Sequence, residues 1–309
     1  MERNNEAPVL RVEDLVVSFR MYGKGFQKTN LEVIHSLSLS VNRGEILAVV
    51  GSSGSGKSIL ASAVLHLLPR NALCSGSIRY RGEERDQKGW NQLLGRKIAY
   101  IPQSVDYLDP LMKVDRQVMG VRGTKTRQRQ LFDTFGLGQQ VEGMYPFQLS
   151  GGMARRVLIS GAMMEEPELI IADEPTPGLD VTMAMETLRC FRKLADQGAA
   201  VLLITHDIDL ALEVADRIAV FYAGTVVETA PREDFLTGGA ALRHPYSRAF
   251  LEALPQNGFK PIPGTQPYAG ALPTGCLFGD RCPYRDEACS GEIPLRTVRN
   301  GEVRCVHAT

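Results

Sequence analysis

The chain lacks any apolar run long enough to cross a bilayer. Stretches such as Ile46–Val50 and Ala199–Ile204 fall far short of the roughly 20 residues a membrane helix needs. It also lacks net charge: 35 Lys and Arg balance 35 Asp and Glu, so no global field draws it to nucleic acid or anionic lipid. The first residues, Met1–Leu10, do not have the charged-then-apolar build of a secretory signal. Without that signal, the six cysteines are not expected to form a disulfide scaffold. Internal repeats and low-complexity tracts are missing as well. Any membrane role therefore requires a separate membrane subunit.

What is present is an ordinary globular composition, 44% hydrophobic and 23% charged over 309 residues. That length suits one large core, or one domain with a smaller appendage. Short apolar runs alternate with helical patterns, which predicts an α/β fold with a largely parallel sheet. Ile46–Val50, Lys97–Ile101, Leu169–Ala172, Val201–Ile204 and Ile218–Tyr222 read as buried strands because they lack polar alternation. Lys57–Leu68 reads as a helix stopped by Pro69. Val181–Ala195 carries a helical apolar stripe closed by Gly198. Leu10–Phe19 and Val33–Val41 suggest an antiparallel β edge, and the polar stretch between Gln103 and Ser150 suggests a helical insertion. After Pro255 the composition shifts to Pro, Gly and Cys, which predicts a domain boundary: residues 1–255, with a helical subdomain over about 104–165, then an irregular extension over 256–309.

The segment Gly51, Ser52, Ser53, Gly54, Ser55, Gly56, Lys57, Ser58 follows a predicted strand and opens a predicted helix. Its glycines let successive backbone N–H groups point at phosphate oxygens, and the helix N-terminus adds a positive dipole end. Lys57 is placed to neutralise terminal phosphates and Ser58 to coordinate Mg²⁺. Leu169–Glu174 supplies the matching acid: an apolar strand ends in Asp173 and Glu174 at the edge where α/β sheets bind ligands. Asp173 is expected to hold the Mg²⁺ hydration shell and Glu174 to polarise an attacking water.

Kinases, small GTPases and helicases share those two elements. The discriminating segment is Leu149-Ser150-Gly151-Gly152-Met153, a helix start whose two glycines leave backbone N–H groups uncovered. Here the sequence resembles the ABC ATPase family, with motifs in the family's order over residues 9–230. The resemblance makes Leu149–Met153 the family signature, Gln103 the Q-loop glutamine and a Mg²⁺ contact, and His206 the switch histidine. It places Pro177-Gly178-Leu179-Asp180 at the D-loop, where the family more often has Ser-Ala-Leu-Asp or Thr-Ala-Leu-Asp; Asp180 is kept. Phe19 or Tyr22 stands where an aromatic stacks on adenine, and strand context favours Phe19. The implied fold is a P-loop ABC-type ATPase domain with antiparallel edge, parallel core and helical insertion. The implied chemistry is ATP hydrolysis, with Glu174, His206 and Gln103 catalytic and each nucleotide held between one subunit's phosphate loop and the other's Ser-Gly-Gly.

Further along, His244–Leu251, Pro261–Gly264 and Gly275–Tyr284, with Cys289 and Cys305, resemble the oligopeptide/dipeptide/nickel importer branch. That implies a sister ATPase, two membrane permease subunits, an extracytoplasmic substrate-binding protein, no nucleic acid, and a place at the cytoplasmic face of the cell membrane. Peptides, nickel and metal chelates all remain open as cargo. Cys276, Cys282, Cys289 and Cys305 crowd into one Pro/Gly-rich segment without the CxxC pairs usual for zinc. A [4Fe–4S] cluster, zinc and an unligated tail are all compatible with that spacing; related importer ATPases are reported to carry the cluster. His307 is a substitute ligand or a solvated side chain, and Cys74 and Cys190 read as core or loop residues. The competing class is a soluble ABC-type ATPase acting on nucleic acid, ribosomes or cofactor assembly, but one ATPase unit without heptads or basic excess argues against it. A P-loop kinase leaves Ser150–Gly152 and His206 unexplained.

Overall fold

The computed structural model describes residues 7–22, 28–52 and 54–309. The strands are β1 (Leu10–Tyr22), β2 (Lys28–Val41), β3 (Ile46–Val50), β4 (Ala72–Tyr80), β5 (Glu83–Glu84), β6 (Ile98–Ile101), β7 (Leu169–Asp173), β8 (Ala200–Thr205), β9 (Arg217–Tyr222), β10 (Thr225–Pro231), β11 (Arg296–Val298) and β12 (Gly301–Val303). The α-helices are α1 (Lys57–Val64), α2 (Gln87–Leu93), α3 (Val114–Met119), α4 (Lys125–Thr134), α5 (Gly151–Ala162), α6 (Val181–Asp196), α7 (Ile208–Val214), α8 (Arg232–Leu236) and α9 (Pro245–Glu252).

The central sheet runs in the order β11-β12-β10-β9-β3-β8-β7-β6. Pairing is parallel from β9 through β3, β8 and β7 to β6, and antiparallel beyond β9. Both faces of the parallel part are covered, so its strands are apolar except at their ends, where Asp173, Thr205 and Arg217 lie. In β3, Ile46, Ala48 and Val50 join one core layer while Leu47 and Val49 join the other. β8 splits likewise, Val201 and Leu203 facing one way, Leu202 and Ile204 the other. This two-sided burial is why unbroken apolar runs, without polar alternation, located these strands.

The expected antiparallel strands form their own sheet, β2-β1-β4-β5, laid over the second core layer with α1. The helical insertion packs on the first layer through Val114, Val118, Phe132, Phe135 and Val157. α1 ends at Val64, not at Leu68. His66 takes φ +55, and the Leu67 N–H reaches the Ser62 carbonyl at 2.8 Å, a left-handed helix stop that needs no proline. His66 is held there against Trp90, ring centroids 4.8 Å apart.

The tail is tied into this frame. β12 pairs with β10 and β11 with β12, so residues after 295 extend the central sheet. Glu228 on β10, fully buried, accepts from the N–H groups of Arg243 (2.7 Å) and His244 (2.9 Å) and from the Arg243 guanidinium (3.3 Å). Arg243 in turn donates to Asp234 and to the Val298 carbonyl, both at 2.7 Å. His244 caps α9 by accepting from the Tyr246 N–H, and burial pushes its imidazole pKa down to about 3, which keeps the accepting nitrogen unprotonated.

Candidate nucleotide site

β3 delivers Gly51 at its C-terminal end, and the chain turns through residues 51–56 into α1. At Gly51 an added Cβ would lie 2.5 Å from the Phe221 carbonyl of β9, so only glycine lets the loop pass the strand. Gly56, with φ +107, makes the left-handed entry to the helix that a side chain would strain. Gly54 shares this region with φ +75. Ser53 lies outside the described residues. Ser55 is buried beside them.

Lys57 is 6% exposed, and its Nζ donates to the carbonyls of Gly51 (2.8 Å) and Ser52 (2.9 Å). Burial lowers its pKa, while Glu174 and Asp173 oppose that shift. Asp173, at the end of β7, is buried; burial raises its pKa, opposed by a hydrogen bond from Ser58. Its Oδ1 has no hydrogen-bond partner among the described residues. A buried, unpartnered carboxylate oxygen next to a hydroxyl suits a hard divalent cation such as Mg²⁺.

Glu174 adopts φ +48, a left-handed conformation that costs a non-glycine residue about 1–3 kcal/mol and persists only where its surroundings enforce it. Its N–H is fixed to the Ile204 carbonyl of β8 at 2.8 Å, and its Oε2 meets Nδ1 of His206 at 2.7 Å. Because β7, β8 and β3 are neighbours, the phosphate loop, Ser58, Asp173, Glu174 and His206 come together at one end of the sheet.

Other residues singled out from sequence lie elsewhere. Ser150 caps α5 by accepting from the Met153 N–H at 3.3 Å, with Gly151 facing open space. Gly152 rests against the turn that leads into α6, where an added Cβ would be 3.3 Å from the Gly178 carbonyl. Asp180 caps α6 through the Met183 N–H at 3.0 Å. Among the described residues, no hydrogen bond or ion pair joins Ser150–Gly152 to the phosphate loop. Gln103 is exposed. Phe19 is partly buried against the second core layer, while the Tyr22 side chain is outside the described residues.

Sequence reasoning missed Arg155. Buried on α5, it donates to the carbonyls of Pro102 (2.6 Å) and Gln103, clamping the segment after β6 to this helix. Burial lowers its pKa, and Asp173 and Glu174 oppose the shift. The Arg155-Arg156 doublet was the only signal, and nothing in its spacing separates a clamp from a solvated helix face. Also missed was Gln266, whose Oε1 accepts from Ser52 Oγ at 3.1 Å.

The four tail cysteines converge. Cys276, Cys282, Cys289 and Cys305 line one small cavity together with His244, Ile293 and His307. Burial pushes the Cys276 thiol up to about 11, and the other three thiols add to the shift. Burial likewise raises Cys282 and Cys305.

Known proteins match this arrangement. Residues 34–177 fit the family model described as ABC transporter, and residues 227–289 the model described as oligopeptide/dipeptide transporter, C-terminal region. A probable D,D-dipeptide transport ATP-binding protein of Escherichia coli K12 is 36% identical over 96% of this chain and 95% of its own length. A putative peptide import ATP-binding protein of Brucella abortus is 34% identical over 97% of this chain and 95% of its own. Among solved structures, an ATP-binding subunit of an ABC transporter superposes with TM-score 0.62 at 25% identity, covering 79% of this chain and 98% of that one. A dimeric ATP-binding cassette bound to ADP and Pi shares the fold at TM-score 0.63 and 23% identity, covering 72% and 98%. With its phosphate loop and acidic strand end gathered at one sheet edge, and with relatives matched along nearly their whole length, the chain belongs to the ATP-binding proteins of ABC transporters and is an ATPase whose hydrolysis is coupled to transport.

Proposed function

We propose that this chain is one of two ATPase subunits that energise import of peptides, working at the cytoplasmic face of a membrane on two permease subunits fed by a substrate-binding protein. The observation that carries the cargo class is the tail: residues 227–289 match the oligopeptide/dipeptide C-terminal region, and the relatives at 36% and 34% identity are named for dipeptide transport and peptide import. Nickel or metal chelates remain alternatives within the same branch. Among the described residues no helix is long and apolar enough to cross a membrane, and the reading assigns the permease to separate chains.

Gly51–Gly56 would cradle the phosphates through backbone N–H groups, Lys57 would leave its two carbonyls for the terminal phosphates, and Phe19 would stack on adenine. Ser58, Asp173 and Gln103 would hold Mg²⁺, which supplies charge neutralisation at the transferring phosphoryl group. Glu174 would orient the attacking water, with His206 fixing the carboxylate at 2.7 Å. Among the described residues no hydrogen bond or ion pair joins Ser150–Gly152 or Asp180 to this chain's own phosphate loop, and Gly151 faces open space, which supports a second protomer donating the same turn in trans. The helical insertion exposes Tyr107, Leu111 and Phe147, apolar side chains suited to a permease helix. Co-expression with permease and sister subunits tests the reading. The assembled complex is expected to hydrolyse ATP faster when peptide-loaded binding protein is added. A complex indifferent to every peptide, or a lone monomer turning over briskly with Ser150 and Gly151 altered, would refute it.

The four tail thiols support an iron–sulfur cluster over a single zinc ion. One zinc holds its thiolates at about 2.3 Å, so they sit within about 4.6 Å of one another. The one group of three ligand atoms within 4.8 Å among the described residues is Asp286, Cys289 and His307, which includes only one cysteine. Four thiolates lining one cavity suit a [4Fe–4S] unit, which would relieve their mutual repulsion. Anaerobic purification is expected to give a brown protein with bound iron, lost when Cys276 and Cys282 are replaced by serine. A colourless, iron-free protein with full activity would end the cluster proposal.

A further inference from the structure

The geometry points to Gln266, in the tail, as a positioning residue of the nucleotide site: its side-chain carbonyl fixes Ser52 and, through Ser52, the path of the phosphate loop. This deepens the nucleotide-site reading and rests on it. Ser52 Oγ donates to Gln266 Oε1 at 3.1 Å across 214 residues of chain. The backbone carbonyl of that same Ser52 is one of the two that accept from Lys57 Nζ, at 2.9 Å. Ser52 thus links the tail to the loop that would cradle the phosphates.

The backbone on the tail side of the contact is tied to the fold at several points. Pro261, Pro263 and Pro267 restrict the backbone around Gln266. The carbonyls of Ile262 and Pro263 accept from the Arg281 guanidinium at 3.2 and 2.7 Å. Arg281 also donates to the Tyr222 hydroxyl at 3.2 Å and lies 5.9 and 5.8 Å from the ring centroids of Tyr222 and Phe278. Tyr222 ends β9, and the neighbouring Phe221 carbonyl is the atom against which Gly51 is packed. Both ends of the Ser52–Gln266 bond are therefore referenced to one strand, so the tail presets the loop before nucleotide arrives. Preorganisation of this kind raises affinity by lowering the ordering cost of binding.

Titration of the full chain with a fluorescent ADP analogue tests this. Gln266→Leu is expected to raise the dissociation constant about two- to tenfold, the range of one net hydrogen bond. The thermal midpoint without nucleotide should be unchanged, and in the assembled transporter KM for ATP should rise by the same factor at constant kcat. Ser52→Ala, which leaves the tail untouched, should give the same loss, and the double variant no more than either alone. An unchanged dissociation constant in Ser52→Ala or Gln266→Leu, or factors that multiply in the double variant, would overturn the role of Gln266. Failure of the wild-type chain to bind the analogue would instead refute the nucleotide site itself.

Discussion

Glu174→Gln is expected to slow ATP turnover of the assembled transporter by about 10²–10⁴, the usual worth of a positioned general base, while nucleotide affinity stays within about twofold of wild type. The substitution is nearly isosteric, and the left-handed backbone at φ +48 is held by the bond from its own N–H to Ile204, which is unchanged. The groups proposed to grip phosphate and Mg²⁺, namely Lys57, Ser58 and Asp173, are not altered. An amide oxygen can still meet His206, but it does not polarise a water as a carboxylate does. Single-turnover hydrolysis and equilibrium binding, measured on the same preparation, separate the two effects. Turnover within tenfold of wild type would remove Glu174 from the role of base and leave its strained backbone without a catalytic reason.

The largest expected loss of stability lies far from the nucleotide. Glu228→Ala should lower the free energy of unfolding by about 3–5 kcal/mol, because it removes one partner of a buried charged pair. The Arg243 and His244 N–H groups would lose their acceptors, and the Arg243 guanidinium would keep only Asp234 and the Val298 carbonyl. Since Val298 belongs to β11, the damage should reach the strands that the tail adds to the sheet. Chemical denaturation measures the loss, and amide exchange on residues 296–303 locates it. A change under about 1 kcal/mol would mean that water replaces the carboxylate, contrary to its full burial.

The proposed nucleotide site was legible in the sequence because its parts are local. A strand, a six-residue loop and a helix start occupy consecutive positions, and an apolar strand ending in two acids announces itself the same way. His206 is a different case. It lies 32 residues from Glu174, and only the order of motifs shared with a family singled it out. The end of α1 was misjudged since Pro69 is a visible stop, whereas a left-handed His66 braced on Trp90 is a tertiary event.

Sequence by itself determined the strand–loop–helix phosphate cradle, the acidic strand end, the buried parallel strands and the gathering of four cysteines in one tail. Each is written in neighbouring residues, whose types fix local backbone and chemistry. Only the tertiary structure decided that Arg155 clamps the segment at Pro102 and Gln103, that Glu228 anchors Arg243, that the thiols line a common cavity and that Gln266 reaches Ser52. Those contacts join positions up to 214 residues apart. No periodicity records them, because they exist only once burial has brought the two chain segments together and removed the water that would otherwise satisfy their polar groups.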